Sequence, residues 1–129
     1  MGNNHVAVYQ FGVLGAINGG TTEYLTPGIG PSIATEIKLR VPRGGTLKNM
    51  YVRQRVASGA GGRTDIYTAR IEGADSAVTC TLDNATEGED AANTAVIATG
   101  NDLSISLVSN NGADTSEDCI VTIEVEFDN

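Results

Sequence analysis

Apolar and polar side chains alternate along most of this chain. Ile33, Thr35, Ile37, Leu39 and Val41 are interleaved with Ala34, Glu36, Lys38 and Arg40, which predicts a half-buried strand with one charged face. Pro42 and Gly44-Gly45 break it. Thr46 to Val56 reads as a long strand with Arg53 and Arg55 on its exposed side, and 58–62 (SGAGG) as a turn. Thr64–Ile71 and Ala77–Leu82, separated by Gly73 and Asp75, form a predicted hairpin. Short strands are expected at Thr94–Ala98 and through Leu103, Ile105 and Leu107. The clearest strand is the last, where Val121, Ile123, Val125 and Phe127 alternate with Thr122, Glu124 and Glu126. His5 to Phe11 is a further candidate.

Between these runs, 83–92 and 110–118 read as polar loops, and 12–31 as an extended Gly/Thr-rich arm. The best helix candidate, 84–93, is short, polar and interrupted by Gly88. Seven or eight strands with frequent turns predict an all-β fold. The expected architecture is an antiparallel β-sandwich of jelly-roll type with an extended N-terminal arm. An immunoglobulin-like sandwich is the second choice, disfavoured by the lack of any Trp. The domain reading is an N-terminal strand and arm over 1–31 and a sandwich body over 32–129.

At 129 residues the chain suffices for one domain with a real core. No apolar run is long enough for a membrane helix, and the first residues show neither the basic nor the apolar region of a signal peptide. Charge is lopsided: all eight bases lie between Lys38 and Arg70, and from Ile71 onward there are thirteen acids and no base. The net charge of −8 argues against nucleic acid as a partner. Arg40, Arg53 and Arg55 are candidate subunit or partner contacts, because arginine holds carboxylates in a bidentate fork. The competing reading pairs such bases with Glu124 and Glu126 across strands of the same sheet.

Candidate chemistry is sparse. His5 is the only histidine, so a Ser-His-Asp or Cys-His site would depend on it. Cys80 and Cys119 sit in phase with apolar neighbours and read as core residues, able to bridge only in an oxidising compartment. Glu87, Glu89 and Asp90, and Asp114, Glu117 and Asp118, are acidic groups without EF-hand spacing, and no metal or cofactor is expected. No catalytic residues are assigned and the chain is expected not to be an enzyme. A carbohydrate- or receptor-binding module is the alternative function. Its sugar site would need aromatic platforms and polar side chains converging at loop tips; 110–118 offers the polar part but no ring, and the aromatics are few: Tyr9, Phe11, Tyr24, Tyr51, Tyr67 and Phe127.

The succession GTLKNMYVR (45–53), SGAGGRT (58–64), YTARIEG (67–73), AVTCTL (77–82) and GNDLSISL (100–107) resembles small jelly-roll proteins of tailed-phage virions, especially capsid decoration (cement) and head-fibre proteins. The resemblance implies a structural virion protein, assembled in the host cytoplasm and placed on the outer capsid surface. It would be a homotrimer bound to the major capsid protein across capsomer junctions. The arm would clamp capsomers, with Tyr9, Phe11, Tyr24 and Leu25 as its capsid-binding residues. On this reading, deleting 1–31 leaves a folded, soluble body that no longer binds shells.

Overall fold

The computed structural model describes residues 5–17, 19–110 and 116–128. The described chain is all-β, an antiparallel sandwich of eleven strands. These are β1 (Val6–Ala16), β2 (Thr22–Tyr24), β3 (Thr26–Pro27), β4 (Leu39–Arg40), β5 (Gly45–Val56), β6 (Thr64–Ile71), β7 (Ala74–Asp83), β8 (Glu87–Asp90), β9 (Ala95–Ile97), β10 (Asp102–Ser109) and β11 (Glu117–Phe127). One sheet has the order β3-β1-β11-β5-β8, with β9 beside β5 on the same side as β8. The other has the order β2-β10-β6-β7, with β4 also on β10.

Period-two burial builds the core. In β11, Cys119, Val121, Ile123 and Val125 point inward, and Leu103, Ile105 and Leu107 of β10 do the same from the other sheet. The hairpin β6–β7 turns at Glu72 and Gly73, both at positive φ. That is the geometry a two-residue turn needs to match strand twist.

Three expectations are corrected. The first concerns the arm. The described part of 1–31 is woven into both sheets: β1 lies between β3 and β11, and β2 pairs with β10. Phe11, Val13, Ile17 and Leu25 are core residues. The reason is the register of β1 on β11, which sets Tyr9 opposite Ile123 and Phe11 opposite Val121, both inward.

The second concerns the strand expected over 33–41. Only Leu39–Arg40 pairs as a strand there, with an isolated bridge at Ile33. Between them Glu36 is drawn onto the outer side of the second sheet, where it accepts hydrogen bonds from Arg70 (2.9 Å) and Ser104. Arg70 also binds Asp75 and the Gly73 carbonyl and lies over the Tyr24 ring. These groups cover Ser104 and Ser106 and bury two polar side chains on an otherwise solvent-facing side.

The third is the polar loop at 83–92, which contains β8. Its inward residues are Gly88 and Asp90, and at Gly88 a Cβ would come within 2.6 Å of Leu82 Cδ2 and 3.1 Å of Cys80 Sγ. Glycine here lets β8 lie close over β7. A tighter fit occurs at Gly45, which pairs with Phe127 on one side and Ile97 on the other. A Cβ there would sit 2.0 Å from the Glu126 carbonyl oxygen. Gly45→Ala is expected to cost about 3 kcal/mol, because backbone on a central strand must move to admit it. Urea denaturation checks this, and an unchanged midpoint would refute it.

Candidate functional site

The outward side of the six-stranded sheet differs from the rest of the surface. Among the described residues, five of the seven exposed large hydrophobic side chains project from it: Val6, Val8 and Leu14 of β1, Tyr51 of β5 and Val96 of β9. Val6, Val8 and Leu14 are 47%, 62% and 68% exposed and form a stripe along one strand that is interrupted by Gln10 and Gly12. Register places Glu126 and Glu124 of β11 beside Val6 and Val8.

Farther across the sheet, a half-open trough of about 470 Å³ lies over β5, β8 and β11. Its side chains form two rows: Glu89, Tyr51 and Thr122 in one, Glu87, Arg53 and Ile120 in the other. A β-bulge makes this arrangement. Thr122 faces Tyr51 and Glu124 faces Lys48, so β5 carries an extra residue between them. Asn49 absorbs it at φ 52°, a left-handed conformation that asparagine tolerates, and its amide donates to Glu124 at 3.0 Å. The bulge shifts the phase, so Leu47, Met50, Val52 and Gln54 point inward while Tyr51, Arg53 and Arg55 point out.

Of the expected contact residues, Phe11 and Leu25 are buried in the core, so they are not surface groups of this fold. Tyr9 packs half-buried against that core, and Tyr24 lies half-buried against Arg70. Arg40, Arg53 and Arg55 are exposed. Arg55 pairs with Asp118 and Glu117, and Lys48 with Glu126 at 3.4 Å, so cross-strand pairing accounts for part of the basic surface. Among the described residues, Arg40 and Arg53 have no carboxylate within 4.0 Å. The structure therefore separates the arginines into one already satisfied and two available. Sequence reading missed Val6, Val8 and Leu14, because both phases of the first strand are apolar.

Beneath the trough, Asp90 closes the gap between the sheets. Its carboxylate accepts from the backbone N–H of Thr79 (3.0 Å), Ala92 (3.1 Å) and Asn93 (3.0 Å), and from the Asn93 side chain. Burial pushes its pKa up, but these donors outweigh it and hold the group below the usual carboxylate range. Cys80 and Cys119 are free thiols, and burial pushes each up to about 11. Neither is thiolate at neutral pH, which makes them weak nucleophiles. A second buried network joins the sheets: Tyr67 Oη donates to Gln54 (2.9 Å), and Gln54 and Ser116 donate to Asp65 (3.0 and 2.6 Å).

His5 is exposed, and its carbonyl accepts from Phe127 N–H at 2.8 Å. Among the described residues no three His, Cys, Asp or Glu side chains converge as a metal site; Asp114 lies outside those residues. No helix of the described residues is long and apolar enough to cross a membrane. No protein-family model and no curated protein matches the chain.

Proposed function

We propose that this chain is a structural protein of a tailed-phage virion, a jelly-roll sandwich that decorates the outer capsid surface as a homotrimer. It adds binding free energy across capsomer junctions and so stabilises the assembled shell by linkage. Three copies on one trimer raise the effective concentration of each contact, so single contacts are weak without the whole being weak. The observation that carries this reading is the apolar stripe of Val6, Val8 and Leu14 on an otherwise acidic protein. Solvated apolar side chains aligned on one rigid strand mark a surface made for contact. The jelly-roll assignment draws support from the path of the chain, which changes sheets at every connection except β6–β7 and β8–β9. Arg40 is available to the acidic half of a neighbouring copy.

The test has two parts. Light scattering on a sizing column is expected to give about 40 kDa, three times the 13.4 kDa chain. The protein is also expected to co-sediment with shells of the phage whose genome carries it. A Val8→Gln, Leu14→Gln double variant should keep its melting midpoint, since both positions are exposed and no like charge is set against Glu124, yet lose at least about tenfold in shell affinity. Failure of the unaltered protein to bind those shells overturns the proposal.

A further inference from the structure

We infer that the trough over β5, β8 and β11 is a binding site for a neutral oligosaccharide, a function separate from shell docking. Tyr51 supplies the platform. Of six aromatic side chains it is the most exposed, at 49%, and it stands on the outward side of a sheet. Glu89 lies across from it on β8, and that charge foremost raises its pKa. Flanked in register by Glu89 and Thr122, the ring offers its carbon framework for stacking against the C–H side of a sugar ring. The bulge at Asn49 exists at this point of β5 and turns Tyr51 outward; bulges re-aim side chains in this way.

The remaining groups select the ligand by charge. Arg53 lies in the middle of the trough, paired in register with Glu87 on one side and Ile120 on the other. Its guanidinium is a fixed donor for neutral oxygens in a trough where carboxylates outnumber it. Glu87 and Glu89, with Glu124 close by, repel phosphates, sulfates and acidic sugars. What satisfies both signs at once is a neutral molecule with many hydroxyls. Vicinal hydroxyls accept from a guanidinium and donate to carboxylates, and Thr122 does either. Arg53 and Glu87 make no ion pair among the described residues, so their hydrogen-bonding capacity is uncommitted. An extended peptide is a poorer occupant. β5 is hydrogen-bonded on both sides, by β8 and β11, so a peptide backbone could pair only along the outer edge of β8, beside Tyr51 and Arg53 and not over them. At about 470 Å³ the trough has the size of an ordinary small-ligand site.

The experiment is an amide NMR titration of the full chain. The probes are neutral glucan, mannan and N-acetylglucosamine oligosaccharides, beside a sulfated glucan, an oligolysine and an oligoglutamate. At least one neutral oligosaccharide is expected to shift the amides of Tyr51, Arg53, Glu87, Glu89 and Thr122 in a saturable manner. Tyr51→Ala should weaken that binding at least about tenfold with an unchanged melting midpoint, while Tyr51→Phe retains most of it. The inference is overturned by silence of these amides toward every neutral sugar, by a stronger response to a charged probe, or by full binding to the Tyr51→Ala variant. Shell binding is read separately through Val8 and Leu14, so either result stands without the other.

Discussion

Removing residues 1–31 is expected to abolish folding. β1 is an inner strand whose loss strips one whole side of β11, and β2 and β3 leave with it. Phe11, Val13, Ile17 and Leu25 are each no more than 2% exposed. At about 2 kcal/mol per buried apolar side chain, their burial is worth about 8 kcal/mol. That rivals the whole stability of a small domain, about 5–15 kcal/mol. The truncated chain should show no cooperative thermal transition by circular dichroism and should aggregate through the exposed β11 edge. A soluble truncated body with the full-length midpoint would sink this account and restore the detachable arm. A graded version is Phe11→Ala, expected to cost about 4 kcal/mol in urea. Val8→Ala, three residues away but on the solvent side, should cost less than about 0.5 kcal/mol.

The second large effect belongs to Asp90. Its carboxylate joins β7 to the turn between β8 and β9, accepting from Thr79, Ala92 and Asn93. Asp90→Ala leaves those donors, joined in part-buried hydrogen bonds, without their charged acceptor and should cost about 2 kcal/mol, measured by urea denaturation at neutral pH. The sign with pH follows from the lowered pKa. The folded state binds this proton more weakly than the unfolded chain does. The stabilisation is therefore complete above the unfolded aspartate pKa, about 3.9, and is lost as pH falls through the lower folded value. The unaltered protein should weaken on acidification below about pH 4 more steeply than Asp90→Asn does. Equal slopes would show that the clasp contributes nothing.

Strands with one apolar phase were legible. Thr64–Ile71, the final strand and the Leu103–Leu107 run each have a single set of positions that an aqueous surface rejects, and the structure buries that set. β8 was not legible, because its two inward positions are Gly88, which has no side chain, and Asp90, whose carboxylate reads as loop. Segment 33–41 shows the reverse case. Its alternation is clear, but Arg70 and Ser104 hold Glu36, and most of the segment lies unpaired on the second sheet. Of the candidate contacts, the exposure of Arg53 and Arg55 was readable from phase, whereas the pairing of Arg55 with Asp118 was not.

The amino-acid order by itself determined an all-β chain, the break after Val41, a turn containing Gly73, and an interior drawn from alternate positions. These depend on neighbours two to four residues apart. The tertiary structure alone decided which phase of β1 faces water. Ala7, Tyr9, Phe11 and Val13 compete there with Val6 and Val8, and only register against β11 breaks the tie. It also decided that Leu47 points inward although Tyr51, in the same phase, points out, through one extra residue at Asn49 that has meaning only opposite Thr122 and Glu124. Side-chain direction in a strand reverses with each residue, so a pairing between segments distant in sequence fixes what local pattern leaves balanced.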